Sequence, residues 1–439
     1  MTSGLGAGAG IPLTRSHALR IYATGATAIV AILFLTNWPS YQYLAAGGPI
    51  PFYYYVLPVG LILPVLFAEP GTAVRFARDP LLWWFLAFVL TGLAWLLLAQ
   101  DFVEEASRQW RLRVLALMLF YTLTVLCSEA HLRVLGYVIV SCVLLACALN
   151  WVDVLRPYTF VPKGIEHATD GRGAGLFINP NAAGAFIVMG TIAALPMLPG
   201  RLRTTFLVVA VFGVAATLSR GAFVLTAGAI LGAIGLRLVS RTQAMLLIVG
   251  LPLMFAAVSL SYDYLIVASD NRQMQDIIER LGWFQEMREY DNAVEGRIHG
   301  AATAWQMFLE NPATGGGTGA TSLAIEGPHN MYLLFMAEHG VVGFFLYTSL
   351  VGILIAQGWQ RARNAETPHD RDLCSALLLL GVFLAIYGCF SHNVLEEPHT
   401  IFVLGFVVAA ALRPAQRRHT GRATRPDGMR PSPHFTSAH

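Results

Sequence analysis

The sequence predicts an all-α polytopic integral membrane protein with about twelve transmembrane helices. Three observations carry this. Of 439 residues, 56% are hydrophobic and 13% are charged, about half the roughly 25% charge of an ordinary soluble chain. Mean hydropathy is +0.58. Apolar windows of about 17–25 residues, enough to cross a bilayer as a helix, recur from end to end and leave no room for soluble domains. The net charge of +3 and the pI near 8.6 are too mild to imply a nucleic-acid partner.

In chain order the windows lie at 19–37, 52–68, 81–98, 111–128, 133–151, 179–198, 204–218, 221–239, 243–260, 329–357, 373–391 and 398–413. Residues 1–18 are expected as a cytoplasmic N-terminus. Met1 to Leu13 is rich in Gly and Ala and uncharged, and no small-residue cleavage site follows the first apolar run, so the first span is expected to be retained. Spans one to nine occupy 19–261, a long periplasmic loop fills 262–328, and spans ten to twelve occupy 329–413. Residues 414–439, rich in Arg, Pro, Ser and Thr, read as a disordered basic tail drawn to membrane lipids.

Charge sets the orientation. Of 29 basic residues only Lys163 is lysine. With the N-terminus in the cytoplasm, the inside segments hold 18 of the 29 basic residues and 7 of the 26 acidic ones, while the outside is net acidic. Every short inside loop carries arginine, which places both termini in the cytoplasm. The five cysteines, Cys127, Cys142, Cys147, Cys374 and Cys389, fall in or at the ends of spans and form neither a disulfide framework nor a metal-type spacing.

The polar residues worth chemistry fall on the outside. The loop 262–328 is too long to be structureless. Within it Met274, Ile277, Ile278, Leu281, Phe284 and Met287 recur at helical steps, predicting an amphipathic helix along the membrane interface. A second helix is expected from near Glu295 to Asn311-Pro312, with Arg297 near its start. The glycine-rich run Ala313 to Gly319 follows it, either as a flexible connector or as a turn that brings backbone N–H groups to a ligand. No lysine follows it, so it is not a Walker loop.

His329 precedes Asn330 at the start of the next apolar helix. It is either an interfacial residue helping to cap that helix or a general base, kept neutral because a helix N-terminus disfavours imidazolium. Arg220 sits in a two-residue outward turn, where it either snorkels to lipid phosphate or holds an anionic partner. Arg297 at a helix start opposes the macrodipole, which a bound phosphate would explain and surface exposure would also allow. Asn179-Pro180-Asn181 opens a span as a cap or a site element. Glu338 lies nine residues past His329, about 13 Å deeper on a continuous helix and on its opposite face, as a functional carboxylate or an arginine's partner. His392, Glu396, Glu397 and His399 have a spacing that could hold a divalent cation or form a solvated acidic loop.

These residues resemble the O-antigen ligase and polymerase superfamily of lipid-linked glycosyltransferases. The resemblance rests on Arg220 within Ser219-Arg220-Gly221, on Arg297 within Gly296-Arg297-Ile298 followed by Trp305, and on Asn311-Pro312 before the glycine-rich turn. It also rests on Phe177 to Asn181 and, most specifically, on His329-Asn330 with Gly340 ten positions past Asn330 and Gly343 three further on. It implies a GT-C-like membrane fold in the bacterial inner membrane with a periplasmic active site. It also implies an O-antigen ligase that transfers O-polysaccharide from undecaprenyl diphosphate to a hydroxyl of the lipid A-core oligosaccharide. By that resemblance His329 is the base and Arg220 and Arg297 bind the donor diphosphate, with Asn330, Asn181, Glu338 and Gly340 in support. It further implies inversion, with no cofactor, no metal and no ATP.

A polymerase of the same superfamily differs in acceptor rather than donor. A protein O-oligosaccharyltransferase would usually carry a further C-terminal soluble domain. A twelve-span transporter would be built from repeats with a midplane site, whereas no two-fold repeat is visible here and the unusual polar residues gather at the outer face.

Overall fold

The computed structural model describes residues 15–97, 102–156, 159–162, 172–240, 242–245, 247, 249, 292–323 and 327–423. The amphipathic helix expected over 274–288 and most of the ninth window, 243–260, lie outside the described residues. Among the described residues fourteen α-helices carry the fold. They are α1 (Arg15–Leu35), α2 (Trp38–Ala46), α3 (Val56–Ala68), α4 (Pro70–Phe76), α5 (Pro80–Leu96), α6 (Val103–Glu129) and α7 (Leu132–Leu155), then α8 (Pro180–Ala194), α9 (Gly200–Ala215), α10 (Arg220–Gly235), α11 (Asn292–Glu310), α12 (Met331–Arg363), α13 (Pro368–Tyr387) and α14 (Pro398–Ala423).

Local sequence explains where many of them begin. Asp79, Asn179, Ser219, Asn330 and Thr367 each accept a backbone N–H of the first turn of α5, α8, α10, α12 and α13 respectively, at 2.9–3.3 Å. Pro80, Pro180 and Pro368 occupy the first helical position behind three of these caps.

The first eight and the last three windows each contain one of these helices. Among the described residues, fewer than twelve helices are long and apolar enough to cross a membrane. Among the described residues five qualify: His17–Leu35, Val103–Glu129, Leu132–Leu155, Pro180–Met197 and Met331–Arg363. Tyr53–Ala68, Pro80–Leu96, Arg220–Gly235 and Pro398–Leu412 are apolar but shorter. Two windows run across 3-10 turns beside their helices: Pro51–Tyr55 precedes α3, and Leu195–Met197 follows α8. Helix α13 is long enough but carries Asp370, Arg371 and Asp372 near its start. The tail also differs from expectation, since α14 continues to Ala423 where 414–439 was expected to be disordered.

Helices α8 and α14 form the centre. Every residue of α8 from Ala183 to Ala194 is buried, as is α14 from His399 to Ala411, which is what a helix apolar all round requires. Helix α14 packs on α6, and α12 makes its largest interface with α13. Two ion pairs tie together helix ends assigned to the cytoplasm. Arg203 reaches Asp372 at 2.8 Å and donates to the Leu238 carbonyl at 2.7 Å, and Arg361 lies 3.8 Å from Asp79.

The expectation of one straight helix after His329 is corrected. Helix α12 breaks at Gly340, whose φ of 61° and ψ of −149° interrupt the ladder. The Ala337 and Glu338 carbonyls, orphaned by the break, accept the N–H groups of Gly316 and Gly317 at 2.8 and 3.0 Å, and Val341 N–H donates to the Pro312 carbonyl at 2.8 Å. The glycine-rich turn therefore spends these two N–H groups on the broken helix rather than on a ligand. A Cβ at Gly340 would lie 2.5 Å from the Ala313 carbonyl. That backbone region is almost exclusive to glycine, so Gly340→Ala is expected to cost about 1–3 kcal/mol from backbone strain alone. The measurement is the apparent melting temperature of the detergent-purified protein, and an unchanged value would contradict the kink.

Candidate active site

A buried carboxylate organises one side of the site. Asp153 on α7 accepts the N–H groups of Ala174 and Gly175 at 3.1 and 3.3 Å, and Gly173 N–H donates to the Ala216 carbonyl at 2.8 Å. The segment 172–175 is thereby pinned between the ends of α7 and α9. From it Arg172 donates through Nε to the Thr217 carbonyl at 3.0 Å and through Nη2 to Asn181 Oδ1 at 2.8 Å. Ser219 Oγ donates to the same oxygen at 2.8 Å. Asn181 thus joins the start of α8 to the start of α10, immediately beside Arg220.

Asn181 and Ser219 open onto a cavity of about 310 Å³. Arg220 at the first position of α10, Arg297 on α11, Asn181 on α8 and His329 before α12 all line it, with Tyr387, Phe390 and Ser391 from the end of α13 and the turn after it. The lining carries two arginines and one carboxylate, Glu397, which lies 3.1 Å from His399 Nε2. The helix ends that contribute are those the arginine distribution assigns to the outside.

His329 has a left-handed φ of 46°, an uncommon conformation for a residue with a side chain. Its ring meets that of His392 edge-on, with centroids 4.9 Å apart. Burial, with a smaller contribution from the neighbouring His329, depresses His392 to about 4, so it is neutral at pH 7. Glu396, four residues on, faces the opposite way in pH. Burial pushes it up to about 7, with Glu338 and Glu105 adding to the rise while Arg108 and Arg113 oppose it.

A carboxyl whose folded value is raised contributes stability below its ordinary value, and that contribution is lost as pH rises through about 7. Glu396→Gln is therefore expected to raise the apparent melting temperature relative to wild type at pH 8 more than at pH 5. Equal shifts at both pH values would contradict the raised carboxyl.

Of the seven residues singled out in the sequence, Arg220, Arg297, His329 and Asn181 meet in one cavity. The other three do not line it. Asn330 caps α12 through Oδ1 and donates through Nδ2 to the Cys389 carbonyl at 3.2 Å. Gly340 makes the kink. Glu338 accepts from Thr321 Oγ1 at 2.8 Å and lies 3.4 Å from Arg113 Nη2, on the wall of a second cavity. The kink after His339 replaces the continuous helix on which its depth and face were reckoned.

The possible cation cluster also separates: Glu396 faces the second cavity, Glu397 the first, and His399 packs edge-on against Phe177 and Phe186. Among the described residues no group of three or more His, Cys, Asp or Glu side chains converges as metal ligands would. Arg172 was missed, and His392 was read only as a possible cation ligand, not as the neighbour of His329. Arg172 was among the outward arginines, and its closeness in sequence to Asn179-Pro180-Asn181 was the available signal. Replacing Asn181 with alanine would remove the acceptor shared by Arg172 Nη2 and Ser219 Oγ. A loss of about 1–3 kcal/mol in stability or turnover free energy is expected, and a variant kinetically and thermally like wild type would contradict the junction.

Fold and site together define a helical membrane protein whose polar residues converge on a cationic cavity at one set of helix ends. Residues 205–348 match the family described as O-antigen ligase, which supports membership of the O-antigen ligase and polymerase superfamily. The matched stretch, about a third of the chain, contains Arg220, Arg297, His329 and Gly340 but not Arg172 or Asn181. The family suggests a glycosyltransferase-like enzyme of lipid-linked sugar metabolism. A search of curated proteins finds no match.

Proposed function

We propose that the protein is an O-antigen ligase of the bacterial inner membrane, with its termini in the cytoplasm, about twelve crossings and its active site in the periplasm. The observation that carries the reading is the meeting of Arg220, Arg297 and His329 in one cavity. In this reading the donor is O-polysaccharide on undecaprenyl diphosphate and the acceptor is a hydroxyl of the lipid A-core oligosaccharide. His329 takes the hydroxyl proton as the oxygen attacks the anomeric carbon from the face opposite the leaving group. The anomeric C–O bond to the diphosphate breaks with inversion, and the guanidinium groups of Arg220 and Arg297 stabilise the charge that develops on the departing diphosphate. The sugar–diphosphate bond supplies the free energy, so no ATP is needed, and the two guanidinium groups supply the positive charge that a metal would otherwise bring to the leaving diphosphate.

The spacing from His329-Asn330 to Gly340 supports ligase over polymerase. The test is a choice of acceptor. Purified protein in liposomes, given lipid-linked glycan with either lipid A-core or a second lipid-linked glycan, is expected to glycosylate the lipid A-core. Chain extension on the lipid-linked acceptor alone would make it a polymerase.

A further inference from the structure

A second cavity, of about 360 Å³, adjoins the first, and His392 and Asn393 stand in the walls of both. The chain at Gly327-Pro328-His329 separates them: Gly327 and Pro328 line the second cavity and His329 the first. The partition is thin by construction, since a Cβ on Gly327 would lie 2.9 Å from His392 Nε2. A group held in the second cavity therefore has its shortest route to His329 past this glycine.

The two cavities differ in charge. In the second, Glu105 is matched by Arg108, which donates to it through both Nε and Nη2, and Glu338 is matched by Arg113 at 3.4 Å. Glu396 is the third carboxyl against these two arginines: no hydrogen bond reaches it from any described residue, although the Arg108 and Arg113 charges both act on it. Acceptors remain elsewhere on the wall as well. Gln109 uses its Nε2 on Glu105 at 3.1 Å, leaving its carbonyl oxygen, and Ser322 donates to the Gly319 carbonyl at 2.6 Å, leaving its lone pairs. Phe88 and Phe335, ring centroids 5.7 Å apart and stacked, put aromatic carbon on the wall, with the Arg113 guanidinium lying over both rings. Surplus acceptors beside aromatic carbon suit a sugar ring, whose hydroxyls donate and whose C–H face is apolar. An unmatched carboxylate disfavours phosphate. The volume falls within the range of about 300–1,000 Å³ for small-molecule sites.

We infer that the second cavity is the acceptor-sugar subsite, and that it takes an unphosphorylated ring, neutral or amine-bearing, and rejects a phosphorylated one. The inference rests on the transferase reading above. Donor and acceptor are then sorted by charge: the diphosphate goes to the arginine cavity, the sugar to the carboxylate cavity, and the attacking hydroxyl reaches His329 across the Gly327–His392 partition.

The test uses full-length protein in detergent and lipid-free core oligosaccharide, supplied either phosphorylated or enzymatically dephosphorylated, with affinity read by calorimetry. The dephosphorylated core is expected to bind more tightly than the phosphorylated one. Glu396→Gln and Gln109→Ala are each expected to weaken it by about ten- to a hundredfold, while Arg220→Ala leaves it unchanged. In the transfer assay the Glu396 and Gln109 variants should raise the KM for acceptor with the KM for donor unaltered. Wild-type affinity in both variants, each with a wild-type elution profile, would overturn the subsite, as would tighter binding of the phosphorylated core. Transfer to lipid A-core by wild type with an unaltered acceptor KM in both variants would sink the subsite and leave the ligase reading standing. The expected binding pattern without any transfer would sink the ligase reading and leave a sugar site.

Discussion

Replacing His329 with alanine is expected to lower glycan transfer by about a hundred- to ten-thousandfold, the range by which a positioned general base accelerates proton transfer, with donor affinity little changed. The split matters because two roles compete for this residue. Were His329 only a helix-start residue, its loss would appear in stability. The capping, however, is already done by Asn330, which accepts the Leu333 N–H at 3.1 Å. His329 stands one residue before the cap with a φ of 46° and lines the cavity that holds Arg220 and Arg297. His392, edge-on to it, is held neutral by burial. It adds no second positive charge at pH 7 beside a ring that must receive a proton. Alanine at His329 with full kcat would move the base elsewhere.

Arg220→Ala and Arg297→Ala are expected each to lower kcat/KM by about ten- to a hundredfold or more, corresponding to the roughly 1.5–3 kcal/mol of a hydrogen bond to a charged group. Lysine at either position should recover only part of the loss, because a point charge lacks the planar fork that meets two phosphate oxygens at once. The two positions come from different elements. Arg220 opens α10 behind the Ser219 cap, and Arg297 lies on α11 at the end of a segment about 75 residues further along the chain. Their presence around one cavity favours a ligand with several anionic oxygens over two separate lipid contacts. If both alanine variants bound and turned over donor normally, the diphosphate assignment would be removed.

The bundle was largely legible in the sequence because apolar length is a local property. Windows such as 133–151 and 373–391 coincide with helices α7 and α13. What the windows missed is where helices stop. Window 52–68 counts Phe52 to Tyr55, which form a 3-10 turn, and residues past Arg413 continue a helix that polarity alone made look unstructured. The kink at Gly340 was unreadable for another reason. A single glycine in an apolar run is compatible with a straight helix, and only the partner segment, whose Gly316 and Gly317 N–H groups take the freed carbonyls, makes the break affordable.

The site divides similarly. Arg220, Arg297 and His329 stood out because each sat where local rules disfavoured or did not require it: a cation on the outside, a cation at a helix start, a histidine beside an already adequate cap. Asn181 was visible as part of a cap motif, but its partner Arg172 was not, since the bond between them depends on Asp153 holding 172–175 in place. Glu338 was legible as either a functional carboxylate or an arginine's partner. Its partner is Arg113, nearly 230 residues earlier in the chain, a pairing that only the packed helices reveal.

The most direct measurement is reconstitution of the purified protein with undecaprenyl-diphosphate-linked glycan and lipid A-core, without ATP or added metal and in the presence of chelator. Wild type is expected to form glycosylated lipid A-core and His329→Ala to form almost none while still binding donor. Equal product from both proteins, or wild-type transfer that chelator abolishes, would contradict the account.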